Sequence, residues 1–87
     1  MSNRGTVTAA YFLINLLWAK SYYQQTGQLP ILRHKNRRFI YDEILKKHPG
    51  IPRASIRRIV SESNPSLDQI IEVKIKQKNW DCTWDDV

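Results

Sequence analysis

Eighty-seven residues, 41% hydrophobic and 25% charged, suffice for one small domain and exclude a second. Four Tyr, three Trp and two Phe supply the bulky groups that a disordered chain lacks. The net charge of +6 and the pI near 9.8 point to a polyanionic partner, drawn by a long-range, salt-sensitive field.

The charge is unevenly spread: +1 over residues 1–19, +8 over residues 20–60 and −3 over residues 61–87. The single cysteine, Cys82, excludes an internal disulfide and a cysteine-rich zinc site, and it fits a reducing compartment. The apolar run 9–19 is interrupted by Asn15 and is shorter than the roughly 20 residues that cross a bilayer. Lys20-Ser21-Tyr22-Tyr23 follows it where a signal peptide would carry small residues. The expectation is a cytoplasmic protein with no membrane partner.

From Val7 the apolar residues recur at Ala10, Tyr11, Ile14, Leu17 and Trp18, one face of a 3.6-residue period. With Thr6 or Thr8 as cap, this predicts a hydrophobic N-terminal helix over about 7–25. The opposite side is apolar too, with Phe12, Leu13, Leu16 and Tyr23, so the helix must be covered on more than one side. A second copy would do this as a two-fold homodimer; the chain's own neighbouring elements are the other cover. Gly27 ends the helix and Pro30 blocks its continuation.

Residues 28–36 form a connection, with room for a short extended piece at 29–32. Arg33, His34 and Lys35 run on into Arg37 and Arg38, a basic cluster at the start of the next helix. The macrodipole disfavours cations there, and a phosphate would relieve the repulsion; a solvated basic loop is the plainer reading. A second helix over about 36–48 buries Phe39, Ile40, Ile44 and Leu45 and exposes Asp42, Glu43, Lys46 and Lys47. Pro49, Gly50 and Pro52 break it. A third helix begins at Pro52 or Arg53 and ends between 61 and 64, with Ile56, Ile59 and Val60 inward and Arg53, Arg57, Arg58 and Ser61 outward.

Beyond Pro65 two readings compete. Ser66 with Gln69 makes a capping box, and Leu67, Ile70, Ile71 and Ile75 make a helical face. Ile71, Val73 and Ile75 also alternate with Glu72, Lys74 and Lys76, and Trp80, Cys82 and Trp84 alternate after a turn at 77–79, which is the pattern of a hairpin wing. The helix is preferred for its cap and its good helix formers. The acidic tail 79–87 carries Trp80 and Trp84, which either pack on the core or dock another protein.

Residues 42–61, DEILKKHPGIPRASIRRIVS, carry the one recognisable pattern. Gly50 stands where two crossing helices need a turn glycine, Leu45 lies five residues before it, and Ile51, Ile56 and Ile59 lie one, six and nine after. The stretch resembles bacterial and phage helix-turn-helix DNA-binding regulators. The resemblance implies a mainly α, single helix-turn-helix domain of three to four helices over residues 1–87, or its winged version with a C-terminal β-hairpin. It implies double-stranded DNA as partner, with Arg53, Ala54, Arg57, Arg58 and Ser61 reaching bases from a helix at 53–62 in the major groove. Lys35, Arg37, Arg38, Lys46 and Lys47 read as phosphate contacts that position the domain. Lys46 departs from the pattern, which usually has alanine there facing the crossing helix, and two prolines flank the turn.

No catalytic constellation is present. His34 and His48 each suit a basic loop or a helix end, no serine sits in a nucleophile elbow, and no glycine-rich loop can cradle phosphate. The expectation is a transcriptional regulator, not an enzyme, with no cofactor or metal. The alternative is a protein-interaction module of the kind phages and mobile elements use as inhibitors or adaptors, working through the apolar first helix and the Trp80 and Trp84 tail.

Overall fold

The computed structural model describes residues 3–34, 36–62 and 64–87, and within them the chain is four α-helices with no strand. Helix α1 (Asn3–Thr26) is the axle. Helices α2 (Arg37–Lys47), α3 (Arg53–Ser61) and α4 (Pro65–Lys76) all pack on it, as does a one-turn segment at Trp84–Asp86. The chain therefore covers most of α1 by itself. Val7, Ile14, Ala19, Ile40, Ile44, Ile56 and Ile71 are sealed from solvent around this axis, each large aliphatic side chain contributing roughly 1.5–3 kcal/mol of burial.

α1 starts four residues before the position that periodicity gives, so Thr6 and Thr8 lie inside it and do not cap it. Its end is as expected: Gly27 takes φ +72°, and its N–H donates to the Tyr23 carbonyl at 2.8 Å. Asn15, the polar break in the apolar run, is fully buried. Its Nδ2 donates to the Tyr11 carbonyl at 2.7 Å while its Oδ1 meets no partner among the described residues, a deficit of about 1–3 kcal/mol that the packing around it must offset.

The fork beyond Pro65 resolves as a helix. Ile71 and Ile75, one turn apart, are buried, while Val73, which a strand would have buried with them, is half exposed. The cap is Asn64, not Ser66: its side chain accepts from Leu67 N at 3.1 Å, with Pro65 in the first turn. Asp68 near the start and Lys74 and Lys76 near the end suit the dipole. The turn expected at 77–79 exists but closes a helix. Lys78 sits at φ 54°, Lys78 N–H donates to Ile75 O and Asn79 N–H to Lys74 O, each at 3.0 Å, a Schellman ending. Lysine is an unfavourable residue at a left-handed position. It is held there by its own side chain, whose Nζ reaches the Tyr23 hydroxyl at 2.9 Å and lies 4.6 Å from that ring's centre.

Three contacts align α4 beside α1 in the same direction: Arg4 to Glu62 at 3.4 Å, Tyr11 to Asp68 at 3.3 Å, and Tyr23 to Lys78. The tail then turns back. Trp80 lies against Tyr23, Cys82 is buried, and Trp84 meets Phe39 edge to face at 6.2 Å. His48, the residue that ends α2, closes the path: its Nε2–H donates to the main-chain oxygen of Val87 at 2.8 Å, since that oxygen accepts.

Burial, and then the neighbouring Asp68 carboxylate, hold the Tyr11 phenol well above its ordinary range. The folded chain keeps this proton at pH values where the unfolded chain, titrating near 10, has lost it. Tyr11 thus contributes stability that is complete below about pH 10 and is lost as pH rises beyond it. In Tyr11→Phe, urea unfolding across this range is expected to show a shallower alkaline loss than the parent; an unchanged slope would contradict the assignment.

Candidate nucleic-acid interface

α2 and α3 are joined by the five residues His48 to Pro52 and pack on each other as well as on α1. Asn36 starts α2, its Oδ1 accepting from Phe39 N at 3.0 Å, which fixes Arg37 and Arg38 in a first turn that has no acidic residue. Ile40 and Ile44 seal the inner side of α2, and Ile56, Ile59 and Val60 that of α3. With those five inward, the arginines of both helices point out.

Between the two helices lies an open cleft of about 550 Å³. Arg37 and Arg38 enter it from α2, Arg53 and Arg57 from α3, with Tyr41, Asp42 and Ser61 among them and Leu45 and Val60 at its base. All four arginines are exposed. One carboxylate faces them: Asp42 meets Arg38 at 3.3 Å, with both groups largely in solvent, a pairing of little strength that an anion can replace. Four permanently charged, planar forks around one concavity make a site for phosphate or for paired acceptors.

The residues expected to touch DNA do not form one cluster. Arg53 and Arg57 share a flank of α3 with the cleft. Arg58 lies on the other flank, where a shallow depression joins it to Ser55, Ile59 and Arg4 of α1. Between the flanks the crest of α3 carries the small exposed residues Ala54 and Ser61. The Ser61 hydroxyl donates to the Arg57 carbonyl at 2.7 Å, so toward a ligand it is left as an acceptor. Lys46 and Lys47 are exposed at the far end of α2, outside the cleft. Lys35 and the side chain of His34 lie outside the described residues. Tyr41 and Arg4 were not expected at the site. Tyr41 was legible, standing four residues after Arg37 and three after Arg38 on one face of a helix. Arg4 is brought in only by tertiary packing.

No protein family, curated protein or solved structure matches this chain. What the site can do is set by its residues. Among the described residues no group of three His, Cys, Asp or Glu is placed to hold a metal ion, and no helix is long and apolar enough to cross a membrane.

The turn departs from the helix-turn-helix pattern. Gly50 is outside the left-handed region, and a Cβ built on it would meet nothing within 4 Å. Lys46, where the pattern places a residue facing the crossing helix, is exposed. The inward residues of α2 are Ile40 and Ile44, with Leu45 half-buried. Gly50→Ala is therefore expected to keep the melting temperature or raise it, by up to about 1 kcal/mol of stability through a less flexible unfolded chain. A clear loss of stability on calorimetry would show that the turn needs glycine after all.

Proposed function

We propose that the chain is a small sequence-specific DNA-binding protein, a transcriptional regulator that lays α3 in the major groove. The observation that carries this reading is the placement of exposed arginines on both flanks of a helix whose crest is small: Arg53 and Arg57 on one side, Arg58 on the other, Ala54 and Ser61 between. A helix of 9 residues is about 13 Å long, and a helix with its side chains fits a groove about 12 Å wide. Small residues at the crest let the helix approach the base edges, while flanking arginines reach guanine O6 and N7 or the phosphates on either wall. Arg37 and Arg38, at the start of α2, grip the backbone beside the cleft. Lys46 and Lys47 add exposed positive charge at the end of α2, and Lys35 belongs to the same basic run in the sequence. The reading places the protein in the cytoplasm, with no cofactor and no catalytic role.

The alternative, a protein-interaction module working through the apolar first helix and the Trp80 and Trp84 tail, has less in its favour, since α2, α3, α4 and the C-terminal turn already pack on that helix. Trp80 rests on Tyr23 and Trp84 on Phe39, so both rings are already engaged, although Trp84 keeps 39% of its surface open.

Fluorescence anisotropy on mixed duplexes at two salt concentrations tests the proposal. Binding is expected to weaken steeply with salt. The double substitution Arg57→Ala, Arg58→Ala should relax sequence preference by about 1–3 kcal/mol for each guanine that is no longer read. Lys47→Ala should weaken all duplexes alike and lower the salt slope by about one. An absence of binding at low salt would overturn the proposal, and binding unchanged by the double substitution would remove α3 from the interface.

A further inference from the structure

The cleft between α2 and α3 offers more than a duplex backbone uses. Its lining has two parts: the four arginines Arg37, Arg38, Arg53 and Arg57, and an apolar patch of Tyr41, Leu45 and Val60. Set against Asp42, the arginines leave a formal charge of +3 on one concavity. Arg37 opens α2 and Arg53 opens α3, and neither helix has an acidic residue in its first turn, so both macrodipoles add to the same positive field. A backbone phosphate meets such arginines but has no flat apolar face to lay on Tyr41. The bases of a duplex do have one, but it is stacked away inside the helix.

We infer that the cleft is a binding site for a free nucleoside polyphosphate, with the phosphates among the arginines, the base on Tyr41 and the apolar floor, and Asp42 accepting from a ribose hydroxyl or a ring amino group. Three features select this chemistry. The volume of about 550 Å³ lies within the roughly 300–1,000 Å³ of small-ligand sites. A terminal phosphate carries up to about two negative charges where a diester carries one, so arginines that converge on one concavity favour the terminal group. A single strand is held by a long groove with successive stacking rings, whereas Tyr41 is the one aromatic among the described lining residues. Arg53 and Arg57 belong both to this site and to the helix proposed to enter the major groove, so nucleotide and duplex exclude each other and the nucleotide regulates duplex binding. That exclusion alone rests on the duplex-binding reading.

Calorimetric titration of the duplex-free protein at low salt, without divalent cations, tests the inference with ATP, AMP and inorganic tripolyphosphate as probes. ATP should bind about tenfold or more tightly than AMP, which has lost two phosphates. It should also bind about fivefold or more tightly than tripolyphosphate, which carries at least as much charge but has no base to stack. Tyr41→Ala is expected to erase that second difference and leave tripolyphosphate unchanged, and Tyr41→Phe to keep it, with helical circular dichroism confirming the fold. Arg38→Gln, at a side chain 85% exposed, should weaken ATP about tenfold. Duplex added in excess should then displace the nucleotide. No binding of ATP overturns the site, as does equal binding of ATP and tripolyphosphate or an ATP affinity that neither Tyr41→Ala nor Arg38→Gln changes. Nucleotide and duplex bound together overturn their exclusion. Graded nucleotide binding without any duplex binding sinks the duplex reading and leaves this site standing; duplex binding without nucleotide binding sinks this site alone.

Discussion

The rest of the structure depends on covering α1. A helix of 24 residues with apolar groups on nearly every side is insoluble alone and becomes a stable axle only when other elements wrap it. α2, α3, α4 and the C-terminal turn each supply part of that wrapping, and each is placed by it. The orientation of the proposed interface follows. Ile40, Ile44, Ile56, Ile59 and Val60 are committed to the core, which leaves the arginines interleaved with them no direction but outward.

This arrangement gives the two sides of the surface different characters. The α2 and α3 side gathers exposed arginines around a cleft that repels further cations and attracts phosphate. The α1 and α4 side keeps exposed apolar residues, with Arg4 on the lining of their groove. The tail joins the two sides: Trp80 seals Tyr23 next to the end of α4, and Trp84 and the bond from His48 to Val87 anchor the chain at α2. Its acidic residues thereby stay with the folded body.

Legibility in the sequence followed the strength of the local pattern. The inward and outward sets of α3 could be read directly, because Ile56, Ile59 and Val60 fall on one side of a 3.6-residue period and the arginines do not. α4 was ambiguous because Ile71, Val73 and Ile75 satisfy two periods at once. Asn64, Pro65 and the burial of residues four apart decided it. For α1 the apolar girth was legible but its cover was not: the Tyr23 side is closed by Trp80, more than fifty positions away in sequence, and nothing local announces such a contact. The division of Arg57 from Arg58 onto opposite flanks follows from helical geometry. The joining of Arg4 to Arg58 follows from tertiary packing alone. The helix-turn-helix pattern asks more of Gly50 and Lys46 than the fold does, since Gly50 keeps an ordinary backbone conformation and Lys46 is exposed.

Mapping backbone amide shifts by nuclear magnetic resonance during titration with a short duplex at low salt tests the central claim most directly. The shifting amides are expected to lie at 36–42 and 53–62, with those near Arg4 following, while 66–77 stay in place. Shifts concentrated in α4 or the Trp80 to Val87 tail, with the arginine cleft unmoved, would contradict it.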